Sequence, residues 1–141
     1  MRNIMSKWFV VVLMSCSFSC FAVDDTVDCD NVSSTMGINY CASMTLEAAK
    51  VELNRYLEAS LEHNAADPEL IESIKVAQKG WQTYANAHCD AIYTKWRDGT
   101  VRGVMSITCH TRLTEQRTHE IWRSFLTYMD GAPPILPEPK E

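Results

Sequence analysis

Cys89 stands ten residues before Gly99, and Cys109 stands ten residues after it. When two helices bend back on each other at a glycine turn, residues equidistant from the bend face one another. Cysteines in those places can meet the Cα separation of about 5.5 Å that a disulfide needs. This symmetry constrains the chain more than any other feature, because it sets the turn and the helix register together. It favours a Cys89–Cys109 bond and leaves Cys29 and Cys41 as a second pair. Four cysteines allow three connectivities, and sequence alone leaves the other two open.

The flanking segments read as helices. From 45 to 64, "TLEAAKVELNRYLEASLEHN" puts Leu46, Ala49, Leu53, Tyr56, Leu57, Ser60 and Leu61 on one stripe opposite a charged face. "NAADPE" ends that helix and starts the next, with Asp67 as N-cap and Pro68 at the first helical position. The second helix is predicted over 68–97, with Leu70, Ile74, Ala77, Trp81, Tyr84, Ala85, His88, Ile92 and Trp96 turned inward. "DGTVRG" supplies the turn. A third helix is predicted over about 104–129, with Ile107, Thr111, Thr114, Ile121, Phe125 and Tyr128 inward.

Ahead of these, "STMGINYCASM" reads as a short helix broken near Gly37, and no strand alternation or internal repeat is evident. The expected fold is all-α: a small antiparallel helical bundle stapled by two disulfides, with the short helix laid across it. The domain is expected over 23–131. "GAPPILPEPKE" closes the chain as a proline-rich segment, expected to be a mobile tail over 132–141.

Residues 1–22 have the form of a secretory signal peptide, with Arg2 and Lys7 ahead of the apolar run from Trp8 to Met14 and Ala22 at the cut. A rival cut exists, since "LMSC" ending at Cys16 is similar to a bacterial lipobox. Lipidation there would anchor the protein to a membrane but leave five further cysteines, and cleavage after Ala22 leaves an even four. The expected location is therefore the periplasm or the medium, oxidising places where disulfides persist. Losing Arg2 and Lys7 takes the net charge from −5 to −7. Such an acidic chain is not expected to bind nucleic acid, which needs a basic surface, but it suits a basic protein partner.

The chemical readings of Cys and His fare poorly. Zinc sites use tight pairs such as C-x2-C, and none occurs; His110 and His119 are nine apart. His88 adjoins Cys89, and neighbours on a helix point about 100° apart, so it is a poor base for a thiolate. His63 and His119 read as surface residues and His88 as a core-edge residue. Trp81, Tyr84 and Trp96 fall at the helical spacing of a core. No carboxylate pair is fixed at the separation a glycosidase requires. No metal, cofactor or catalytic group is expected.

Three motifs in order, "LNRY" (Leu53, Asn54, Tyr56), "AQKGWQTYANAHC" (Gln78, Trp81, Tyr84, Cys89) and "CHTRLTEQR" (Cys109, Leu113, Thr114, Arg117), resemble the LprI-like lysozyme inhibitor family. The leading Cys29 and Cys41 fit the same scheme. The chain departs from the family at Lys50, where members usually carry Asp, and at Ala85, where they usually carry Arg. It also separates Gly99 and Gly103, where members tend to have Gly-Gly. The resemblance implies an exported, non-enzymatic protein that occludes the cleft of a basic lysozyme-like muramidase. The alternatives are an immunity or interaction protein against another envelope toxin, or a structural envelope domain. The turn residues Asp98, Thr100 and Arg102 are the expected partner-binding group, and Arg117 is expected to anchor a helix end or carbonyl of its neighbour.

Overall fold

The computed structural model describes residues 27–140, so the segment expected to be a signal peptide (1–22) and Cys16 lie outside the described residues. Three helices make up the described fold, α1 (Thr35–His63), α2 (Pro68–Lys95) and α3 (Arg102–Phe125), with no strand among the described residues. Both expected disulfides are present. Cys29–Cys41 and Cys89–Cys109 have Cα separations of 5.7 and 5.6 Å.

The expected short first helix is instead the opening of α1. Gly37 does not break it, because it occupies the third helical position, where its N–H is still free to bond a cap. Ser34 is that cap, its Oγ accepting from the Gly37 N–H at 3.1 Å. A side chain at position 37 would collide with Val32, so glycine there lets the preceding loop cross close over the first turn. Asp67 caps α2 as expected, accepting from Leu70 N–H at 3.0 Å, with Pro68 first in the helix.

α3 is the middle element. It packs along both α1 and α2, which scarcely touch each other. Asn39 meets Gly103 at one end and His63 meets Tyr128 at the other, so α1 and α3 run parallel in register, with α2 antiparallel between them in sequence. The two ends are called here the tip (the turn 96–101 and the start of α1) and the base. Being flanked twice, α3 buries six positions, three of them threonines. Thr111, Thr114 and Thr118 each donate to the carbonyl four residues back, which satisfies their hydroxyls within the helix.

Two apolar clusters result. Leu53, Tyr56, Ile121 and Leu126 fill the base, and Ala85, Cys89, Cys109 and Leu113 fill the half nearer the tip. Trp81 packs against both. Because α2 has one neighbour, its buried stripe is narrow: Ile74, Ala85 and Cys89. Ala77, Tyr84 and Trp96, expected inside, are exposed, Tyr84 at 55% and Trp96 at 39%. Tyr128 also lies outside, beyond the end of α3.

The proline-rich segment is docked rather than loose. Ile135 N–H donates to Leu126 O at 2.9 Å, Trp122 Nε1–H to Leu136 O at 2.9 Å, and Tyr56 Oη–H to Pro137 O at 2.7 Å. Leu136 packs on the base cluster and Pro139 is buried. The reason is reciprocal. A part-buried tyrosine hydroxyl and indole N–H need acceptors, and a segment of prolines offers carbonyls while having little backbone freedom to lose.

Candidate functional site

The turn between α2 and α3 is built to approach α1 closely. A side chain at Gly103 would come within 2.8 Å of the Asn39 amide, so glycine permits the contact between the two parallel helices. The turn closes with Gly99 N–H bonded to Trp96 O at 2.9 Å. Behind it, the Cys89–Cys109 bond and a hydrogen bond from Ser106 Oγ to Cys89 O (3.3 Å) hold the two helices together.

The expected partner-binding residues Asp98, Thr100 and Arg102 are brought together here. They line an open concavity of about 640 Å3, with Thr35 and Asn39 of α1 on its far side. Sequence reasoning missed Arg97 and Tyr93, which line the same surface. Their signal lay in closeness along the chain, since Tyr93 stands near the end of α2 and Arg97 directly follows its C-cap, Trp96. Arg102 lies with its guanidinium carbon 5.2 Å from the centre of the Tyr93 ring, and its Nη1 donates to Arg97 O at 3.4 Å. A cation on an aromatic face is held without losing its charge.

The tip has the composition of a protein-binding surface, in which Trp, Tyr, Met and Arg are enriched. Tyr93, Trp96 and Val101 are exposed around Arg97 and Arg102, and Met36 (83%), Tyr40 and Met44 are exposed in the first turns of α1. The first turns of α1 and α3, whose N-terminal ends both face this way, hold no acidic residue. Asn39 Oδ1 is buried there without a hydrogen-bond partner. A second concavity, of about 590 Å3 between α3 and the docked tail, has walls of alternating sign (Arg112, Glu115, Glu120, Lys140).

The motif residues are chiefly scaffold. Leu53, Tyr56, Leu113 and Thr114 are buried, and Trp81 joins the two clusters. Arg117 does not reach a helix end or a carbonyl of its neighbour. Its Nε–H donates to Gln78 Oε1 on α2 at 3.0 Å, and Nη1 pairs with Glu120 at 3.2 Å on its own helix, so a side-chain amide takes the role expected of a carbonyl. Tyr84 lies on the surface stacked against His88. Asn54 lines a trench between α1 and α2, and two of the three departures from the family pattern, Lys50 and Ala85, line the same trench. Cys89 and Cys109 are both spent in their disulfide, so neither offers a thiolate.

The family described as "Lysozyme inhibitor LprI" matches residues 29–121, from the first disulfide cysteine to the last buried isoleucine of α3. An uncharacterized protein of Rhizobium meliloti (strain 1021) is 29% identical over 121 residues, covering 78% of this chain and 87% of its own length. No solved structure matches the chain.

Proposed function

Since the chain belongs to the LprI lysozyme-inhibitor family, we propose that it inhibits lysozyme by seating its tip in the substrate cleft. Family membership implies a lysozyme inhibitor rather than an enzyme, with lysozyme as the partner. The tip is the reading's own addition. A glycoside hydrolase works with a pair of carboxylates flanking the bond it cuts, so an occluding element should be cationic, rigid and narrow. The observation that carries the proposal is the pairing of Arg97 and Arg102 on one exposed turn, rimmed by Tyr93 and Trp96 and backed by a disulfide. Rigidity matters because an ordered loop loses less freedom on binding.

Charge then acts at two ranges. The acidic body, at −5 for the whole chain, draws a basic enzyme from a distance, and the cationic tip meets the acidic cleft at contact. Affinity is therefore expected to fall as salt is raised. Asp98 opposes the cleft carboxylates and is expected to contribute orientation rather than attraction. Export to the periplasm, or to the medium, is part of the proposal; the two disulfides suit an oxidising compartment.

The test is clearance of a bacterial cell-wall suspension by lysozyme, with the wild-type protein and with Arg97→Ala/Arg102→Ala. Inhibition by the wild type, weakened at least about tenfold in the double variant, is expected; tenfold corresponds to ~1.4 kcal/mol. Equal inhibition by both would move the site away from the tip. Inhibition by neither would remove lysozyme as the target and leave a role against another envelope toxin.

A further inference from the structure

α1 and α2 are consecutive helices that scarcely touch, because each leans on α3 instead. The gap between them is a trench of about 360 Å3, floored by α3 and separate from the tip. That volume falls at the lower end of small-ligand sites. Its α2 wall carries Gln78, Gln82 and Asn86, spaced four residues apart and so stacked on one face over about 12 Å. Asn54 stands on the α1 wall, and Trp81 lines the trench from its place between the two apolar clusters.

The charge of the lining is the telling feature. The chain is acidic overall, yet no carboxylate lines the trench. Lys50, the lining's cation, is already paired with Glu47 at 2.7 Å. His110 on the floor is held below its ordinary pKa by burial, helped by Lys50 and opposed by Asp90, which favours a neutral imidazole with one donor and one acceptor. Gln78 is fixed in orientation, because Arg117 Nε–H occupies its Oε1 and leaves its NH2 to donate. The Thr114 hydroxyl is spent on His110 O, at 2.8 Å. What remains is a row of neutral carboxamides beside an indole.

We infer that this trench is a saccharide site, taking a short oligosaccharide of N-acetylated hexosamines. A carboxamide presents a donor and an acceptor side by side. It can therefore bridge vicinal hydroxyls or pair with an acetamido group, and the indole offers an apolar surface to the ring C–H groups. A neutral ligand fits walls that carry neither a carboxylate nor a free cation. Such a ligand would hold the protein on an amino-sugar polymer, the class of material a muramidase cuts. The site does not depend on the tip, so the two readings stand or fall separately.

The experiment titrates the full chain with chitotriose (the N-acetylglucosamine trimer) at millimolar concentration, following the side-chain NH2 resonances of Asn54, Gln78, Gln82 and Asn86. Shifts at these groups are expected, with affinity lowered about tenfold in Gln82→Ala/Asn86→Ala, two exposed positions at which truncation leaves the core intact. The Arg97→Ala/Arg102→Ala protein should bind the trimer like the wild type. Absence of shifts, or shifts unchanged in the amide variant, would overturn the site. Equal binding of cellotriose would overturn the preference for acetamido groups. Binding of N-acetyl-tetraalanine amide in place of chitotriose would make the trench a peptide groove instead.

Discussion

The two ends of the molecule are held in different ways. At the base, Leu53, Tyr56, Ile121 and Leu126 bury against one another, and residues 135–139 wrap over them through three hydrogen bonds. Toward the tip the cluster is thinner, being Ala85, Cys89, Cys109 and Leu113, and two of its four members are the disulfide itself. Covalent closure thus takes over where α2 has a single neighbour and little apolar surface to bury. The family match, residues 29–121, contains both disulfides and most of the base cluster but stops short of the wrapping segment. The end that carries the candidate site is the end held by a bond rather than by a core. A bond suits a surface that must stay exposed and still keep its shape.

Cutting that bond should give the largest effect. Cys89→Ala/Cys109→Ala opens a loop with a sequence separation of 20 residues and is expected to cost about 3 kcal/mol of stability. For a domain of this size that corresponds to a melting temperature lower by roughly 10 °C. Thermal denaturation of the variant beside the wild type measures it. Because the bond is the tip's main support, inhibition should also weaken even where the variant stays folded. An unchanged melting temperature would mean that the thin cluster suffices by itself, and the contrast between the ends would fail.

Removing the wrap tests the other end. Ending the chain after Asp130 strips Leu136 from the base cluster and returns Tyr56 Oη and Trp122 Nε1 to water. The expected loss is about 1.5 kcal/mol, smaller than that of the disulfide because the freed polar groups find water and the tail regains its freedom. Denaturant titration reads the loss, and cell-wall clearance by lysozyme should be inhibited as by the full chain. Lost inhibition with little lost stability would place the binding surface at the base.

The contrast also marks what the sequence could and could not tell. Three main helices, the Asp67–Pro68 start and both disulfides were legible, because caps, periodicity and cysteine symmetry are local or nearly local signals. The fusion of the short first helix into α1 and the end of α3 at Phe125 were not. The wrap was not legible. A proline-rich, acidic stretch looks unstructured until Tyr56 and Trp122 are known to point their donors at it, and those two residues lie 81 and 14 positions away from their acceptors. The exposed Tyr84 and Trp96 were missed for a related reason. Periodicity tells which face of a helix is apolar, but not how many neighbours that face will have. At the tip, the turn was legible but not the neighbours that share its concavity: Tyr93, near the end of α2, and Arg97, just past it, line the same surface as Asp98, Thr100 and Arg102.

The smallest expected effect lies between the ends, at His110. Burial holds its folded pKa below the ordinary value of 6.5, with Lys50 adding to the shift and Asp90 opposing it. The sign follows from proton counting. Below pH 6.5 the unfolded chain binds a proton at this residue more readily than the folded one, so stability falls with pH in that range. The contribution is complete above pH 6.5 and is lost as pH drops through 6.5 toward the lower folded value. Denaturant midpoints at pH 7.5 and about pH 5 should differ less in His110→Gln than in the wild type, since glutamine keeps a polar group on the trench floor and cannot take up the proton. The imidazole lines the trench beside Leu53 and Leu57, between the two clusters and in neither. The comparison is made in the full chain, because ending it after Asp130 would also remove Glu138, which pairs with His119 at 2.9 Å. A pH difference equally large in His110→Gln would assign the loss to another group.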